Sequence, residues 1–137
     1  MLQPAFSLTP NVAALLTRAM FPDPERTVLT LKTYQTDPAR RIFTWNICGE
    51  PVSAVGLAVN KMEAEILHIG TSPEQTARGY GRDLLHAVAD HLQLQKLVAE
   101  TDDESVGFYR RSGFQVSEAP ARGGQRRFWC EMKLTSP

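Results

Sequence analysis

The stretch EQTARGYGRDLL, residues 74–85, sets Gly79 and Gly81 between Arg78 and Arg82, directly ahead of a leucine-rich run. Glycines at such a place let backbone approach a ligand closely. A helix that begins there offers N–H groups with no intrahelical acceptor. Together these features make a seat for an anion, best a phosphate or pyrophosphate, and the two arginines add charge. The same residues also serve a plain glycine turn that starts a helix, and spacing alone leaves both readings open. Two nucleotide motifs are excluded. The dinucleotide fingerprint needs three glycines at fixed spacing. The phosphate-binding loop of nucleotide hydrolases ends in Gly-Lys-Ser/Thr, which is absent here. The three histidines and two cysteines lack zinc-like spacing, so no metal is expected. Cys48 and Cys130 lie in apolar, strand-like runs and read as buried thiols.

The elements that must position these residues follow from periodicity and turn chemistry. Residues 10–20 predict a short helix, with Val12, Leu15, Leu16 and Ala19 at helical spacing. Asp23 before Pro24 reads as a helix N-cap, although Thr27, Val28, Thr30 and Thr33 favour a strand. Residues 41–48 and 52–60 predict two antiparallel strands joined by a tight turn, and 64–72 a further strand that Pro73 ends. A helix over 79–93 carries the stripe Leu84, Leu85, Val88 and Leu92. KLVAET reads as a strand, DESVGFYRRSG as a short helix closed by Gly113, and Phe114–Val116 as a strand start. APARGGQR reads as a loop and RFWCEMKL as the last strand. The order implies an α/β (α+β) fold, a mixed central β-sheet flanked by helices. The passage from strand 64–72 through the long helix to strand 97–101 has the length of a βαβ unit.

With 137 residues the chain fits one domain, 1–137. Fifteen basic residues balance fifteen acidic ones, which speaks against a general nucleic-acid role. The opening residues do not resemble a signal peptide, and no apolar run approaches the ~18 residues of a membrane span. A cytoplasmic protein without membrane contact is the expectation.

Two blocks resemble the GCN5-related N-acetyltransferase (GNAT) superfamily. TSPEQTARGYGRDLL is similar to its signature loop, where a strand ends in Val-x-Pro and Arg/Gln-x-x-Gly-x-Gly/Ala precedes a helix. Pro73, Gly79 and Gly81 fall in register, while Thr71 replaces valine and Thr76 replaces the arginine or glutamine. Arg78 and Gln75 are placed to compensate. TDDESVGFYRRSGF, residues 101–114, is similar to Asn-x-x-Ala-x-x-hydrophobic-Tyr followed by Gly-Phe. Tyr109, Gly113 and Phe114 match outright and Phe108 fills the hydrophobic place, with Asp102 for asparagine and Ser105 for alanine. The resemblance covers roughly residues 41–134. The family's usual first strand is either Ala5–Leu8 or missing.

The resemblance implies acetyl-CoA, without a metal, in a gap between strands 64–72 and 97–101. Its pyrophosphate would lie over Arg78, Gly79, Tyr80, Gly81 and Arg82, with Thr76 and Ala77 also among the cofactor-binding residues. Its pantetheine arm would run along Ile69, Gly70 and Thr71 and past Ser105, Phe108 and Asp102, which either accepts a bond from the arm or only caps the helix. Tyr109 would stand near the sulfur as proton donor or hydrogen-bond partner, and a core ring is its other reading. Glu65 and His68 are the candidates for taking the amine's proton. Three positions apart in a strand, they should face opposite sides, so at most one faces the acceptor. The acceptor would be an amine, of a small molecule or of a protein. Transfer would be direct, leaving Cys48 and Cys130 no role as nucleophiles. Small proteins of this fold often pair, so a homodimer is open to it. A non-catalytic acyl-CoA binding or sensing module is the competing reading, with the retained Tyr109 against it. An interaction domain that binds no CoA conflicts with the paired motifs.

Overall fold

The computed structural model describes residues 1–134; the last three residues of the expected 1–137 unit lie outside the described residues. Strand β1 is Leu2–Ala5, followed by helices α1 (Pro10–Thr17) and α2 (Pro24–Thr36). Strands β2 (Arg40–Ile47), β3 (Glu50–Asn60) and β4 (Glu63–Thr71) come next, then helix α3 (Tyr80–His91). The chain ends with β5 (Lys96–Thr101), α4 (Val106–Arg111), β6 (Gln115–Arg122) and β7 (Gln125–Lys133). Among the described residues, the seven strands form one sheet in the order β1-β2-β3-β4-β5-β7-β6, in which only β4 and β5 run parallel. This is the mixed sheet flanked by helices that the sequence implies.

The threonine-rich second helix resolves a local conflict. Asp23 caps it, its side chain accepting from the N–H groups of Glu25 and Arg26. The hydroxyls of Thr30, Thr33 and Thr36 each donate to the carbonyl four residues earlier, so these residues satisfy themselves inside a helix.

Several boundaries move. The first strand exists, but as Leu2–Ala5 paired with Trp45–Ile42 rather than as Ala5–Leu8. Cys48 is not a buried strand thiol. With Gly49 it forms the two-residue turn between β2 and β3, both at positive φ, and it is exposed. Cys130 is buried, as expected. The run APARGGQR is mostly strand: β6 continues to Arg122, and only Gly123 and Gly124, both at positive φ, make the turn. Pro120 is tolerated because β6 is an edge strand.

Each face of the sheet carries its own core. On one side Phe43, Val55, Leu57 and Ile66 meet Leu84, Leu85 and Val88 of α3. On the other, Ile42 and Ala54 meet Val12, Leu15 and Leu16 of α1 and Tyr34 of α2. Two glycines allow this second layer to come close. A Cβ on Gly70 would overlap the Leu15 carbonyl, and one on Gly56 would overlap the Tyr34 hydroxyl. Since the Leu15 carbonyl is helix backbone and cannot swing away, Gly70→Ala should cost about 1–3 kcal/mol. Urea unfolding measures this, and an unchanged midpoint would mean that α1 is not seated on β4.

Candidate functional site

The site begins with a fault in the β3–β4 ladder. Gly56 pairs with His68 and Leu57 with Ile66, which leaves Leu67 as the extra residue of a β-bulge. The bulge reverses the alternation along β4. Glu65, opposite Ala58, and His68, opposite Gly56, consequently lie on the same face, that of α1 and α2. The expectation that they face opposite sides is wrong, because it assumed an unbroken two-residue period.

Beyond the bulge β4 leaves its neighbour. The parallel ladder joins only Glu63, Ala64 and Glu65 to Lys96, Leu97 and Val98. Past that point the strands splay around a cleft of about 660 Å³. Ile69, Gly70 and Thr71 of β4 line one part of it, together with Asp102, Ser105 and the α4 residues Phe108 and Tyr109. The other part is lined by residues 18–21 after α1, by Arg26, Thr27 and Thr30 of α2, and by His68, Glu100 and Arg127. A second hollow of about 670 Å³ shares Thr71, Thr76 and Phe108 with the first and runs over Gln75–Arg82.

That second hollow holds the glycine loop. A single 3-10 turn, Pro73–Gln75, follows β4, and Gly79 then caps α3 at φ 81°. Ala77 is also left-handed, at φ 65°, a conformation that costs a non-glycine residue energy and marks functional loops. The first helical bond runs from the Asp83 N–H to the Gly79 carbonyl, leaving the earlier N–H groups of the turn without intrahelical acceptors. Gly81 is buried, and a Cβ there would stand 3.0 Å from the Phe108 ring. Arg78 and Arg82 are exposed beside the loop, while the Thr76 hydroxyl donates to the Pro73 carbonyl.

Tyr109 is 5% exposed, wedged edge-on against Phe108 and Phe114, and still lines the cleft. Burial raises its phenol pKa, with Cys130 and Asp102 adding to the effect. Tyr109 is thus both a core ring and a cleft residue. Asp102 accepts from the Ser105 N–H at 3.0 Å, a local cap at the start of the α4 turn.

His68 meets a partner that sequence reasoning missed. Its Nδ1 lies 2.6 Å from the Tyr34 hydroxyl, in the room that Gly56 leaves. Burial, then the nearby Arg40 guanidinium, pushes the imidazole down to about 4. Burial raises the Tyr34 phenol, with Arg40 opposing. Glu65, in contrast, is exposed and does not line the cleft. Glu100 and Arg127 do, and neither carried a motif. Trp45 packs against the larger core and Trp129 is exposed on β7. His86 bonds the Ser112 carbonyl, and His91 packs edge-on against Phe43. Among the described residues, no three His, Cys, Asp or Glu side chains converge as a metal site would require. No helix there is long and apolar enough to cross a membrane.

A strand pair that parts around a cleft, with a glycine-capped helix at one end, defines an acyl-CoA transferase type of fold. The model of the acetyltransferase (GNAT) family matches residues 9–114, and this chain belongs to that family. A curated relative, an uncharacterized N-acetyltransferase from the lysA 3' region of Bacillus methanolicus, is 34% identical over 62 residues. That match covers 44% of this chain and 52% of the relative, about half its length. Among solved structures, a GNAT family acetyltransferase from Elizabethkingia anophelis with acetyl-CoA bound has a TM-score of 0.71 at 22% identity. It covers 98% of this chain and 97% of its own. An acetyltransferase from Thermus thermophilus has a TM-score of 0.71 at 25% identity, covering 97% of both chains.

The His68 environment has a consequence for acid stability. The folded imidazole refuses a proton that the unfolded one accepts below about 6.5. Because the unfolded chain then binds more protons, stability should fall as pH drops from about 6.5 towards 4. An NMR titration of the His68 ring should show a midpoint near 4, whereas a midpoint near 6.5 would contradict the buried pairing with Tyr34.

Proposed function

We propose that this chain transfers the acetyl group of acetyl-CoA directly to a primary amine. The observation that carries the reading is the continuity of the two hollows. A path leads from the orphan N–H groups around Gly79 and Gly81, past Phe108 and Thr71, into the parting of β4 and β5. A cosubstrate with a pyrophosphate at one end, an extended amide-bearing arm and a reactive thioester fits that path. In this reading the pyrophosphate accepts from the loop N–H groups. The arm pairs with the free edge of β4 at Ile69–Thr71, as an added strand would. The thioester lies beside Tyr109, with an N–H near the end of β4 placed for the oxyanion.

The amine nitrogen attacks the thioester carbon, forming the C–N bond, and the tetrahedral intermediate collapses with loss of the C–S bond. Tyr109 keeps its proton at neutral pH, since its pKa is raised. Its hydroxyl suits hydrogen bonding to the departing thiolate better than full proton donation, because a thiol titrates near about 8.5. His68 stays neutral, and in the tautomer whose Nδ1–H donates to the Tyr34 oxygen its Nε2 accepts a hydrogen bond from the attacking amine rather than storing its proton. The proton then leaves through water. Glu65 is displaced from this scheme by its position outside the cleft.

Tyr109→Phe keeps the ring and removes only the hydroxyl. It should lower kcat about 100-fold while leaving the affinity for acetyl-CoA nearly unchanged. Release of CoA thiol measures the first quantity and calorimetry the second. Binding of acetyl-CoA with no turnover of any amine in the wild type would instead favour an acyl-CoA sensing module.

A further inference from the structure

The two ring nitrogens of His68 stand in different surroundings. Nδ1 lies 2.6 Å from the Tyr34 hydroxyl. Nε2 has no hydrogen-bond partner among the described residues, and it is not one of the buried unpaired polar atoms, so it keeps accessible surface. Since His68 lines the cleft, Nε2 is the nitrogen left to meet a bound amine.

Tyr34 is held in place from several sides. It is the one buried residue of α2, 7% exposed. Its ring meets the His68 ring edge-on, with centroids 5.7 Å apart and planes at 66°. The Arg40 guanidinium, from the start of β2, stands 5.3 Å from the centre of the Tyr34 ring. The Tyr34 hydroxyl fills the room beside Gly56, where any Cβ would overlap it. A hydroxyl packed in this way has little freedom to turn aside, so its bond to Nδ1 also locks the plane of the imidazole.

That bond contains one hydrogen, and its origin decides what His68 offers the cleft. If the hydroxyl supplies it, Nε2 carries the ring hydrogen and is a donor. If Nδ1 supplies it, Nε2 presents a lone pair. An amine brings N–H donors, and only a lone pair can hold one of them while the nitrogen is aimed at a thioester. The carboxylates that line the cleft are less free to do so. Glu100 is shared by Arg122 and Arg127, Asp102 accepts from the Ser105 N–H, and Glu104 is exposed on the turn before α4.

We propose that Tyr34 is a positioning residue for the transfer: its oxygen accepts from Nδ1–H, which fixes the His68 ring with the Nε2 lone pair turned to the amine. This rests on the acetyl-transfer reading and deepens it. Tyr34 touches neither substrate and acts through the imidazole alone. The C–N bond forms while Nε2 holds an N–H of the amine, the C–S bond breaks, and the released proton passes to water. Tyr34 and His68 end the step in the forms in which they began it.

The test starts with the unaltered protein. Nitrogen-15 NMR of the His68 ring at neutral pH should show a hydrogen on Nδ1 and none on Nε2. Tyr34→Phe, which keeps the ring and removes the hydroxyl, should abolish that preference. Acetylation of butylamine, lysine, spermidine and kanamycin is followed by release of CoA thiol. With the best of these acceptors, Tyr34→Phe should lower kcat about tenfold, the size of one hydrogen bond, and leave the affinity for acetyl-CoA unchanged. In a His68→Gln background the same change should have no further effect on kcat, because the two side chains act as a unit. Equal losses in both backgrounds would mean a merely structural tyrosine and would overturn the proposal, as would a hydrogen on Nε2 in the unaltered protein. If none of the four amines is acetylated, the transfer reading fails by itself and the ring spectra alone decide. An Nδ1–H form that Tyr34→Phe removes then supports the positioning of His68 by Tyr34, and unchanged spectra overturn it.

Discussion

One extra residue in β4 controls the geometry of this molecule. Leu67 has no partner on β3, and the bulge it makes re-aims everything that follows. Before it, β4 pairs with β5 and closes the sheet. After it, β4 keeps its ladder with β3 alone and its other edge is open. Open strand edges present backbone donors and acceptors that need partners. An extended ligand bearing amides meets that need, which is why the parting of the strands and the proposed binding of a CoA thioester are one feature. The bulge also brings His68 onto the face of α1 and α2, where it lines the cleft.

The surrounding packing serves this parting. α3 fills the large core with Leu84, Leu85 and Val88, and so fixes the glycine loop at its N-terminus. α4 sets Phe108 and Tyr109 along the cleft, Tyr109 being held edge-on by Phe108 and Phe114. On the other face, Gly56 and Gly70 let Tyr34 and α1 approach the sheet closely. Burial then sets the chemistry. It keeps Tyr109 and Tyr34 protonated and His68 unprotonated at neutral pH, so these three side chains act through hydrogen bonds rather than as charges. The cleft's charges are those of Arg18, Arg26 and Arg127 and of Glu100, Asp102 and Glu104.

Much of this was legible in the sequence, for identifiable reasons. Alternating strands, the Asp23-Pro24 cap and the leucine stripe of α3 are local signals, and local signals set the element order. The glycine loop and the Tyr109 block were legible because their spacing is nearly fixed. The bulge was not, since an insertion of one residue leaves no mark in a strand that stays apolar, and so Glu65 and His68 were put on opposite faces. Cys48 looked buried because its neighbours are apolar, yet the need for two positive-φ residues made it a turn. Tyr34, Glu100 and Arg127 come to the site through pairings distant in sequence. Gly56 and Tyr34, for instance, are joined only by the fold.

The central claim is that the parted strands and the glycine-capped helix form one binding site for a CoA thioester. Calorimetric titration of the protein with acetyl-CoA, free CoA and ATP tests it most directly. The account predicts one-to-one binding of acetyl-CoA and CoA in the micromolar range, with ATP much weaker because it lacks the arm that pairs with β4. No binding of either CoA species would contradict it, as would ATP bound as tightly as acetyl-CoA. In the first case the glycines only turn the chain, and in the second the site reads phosphates alone.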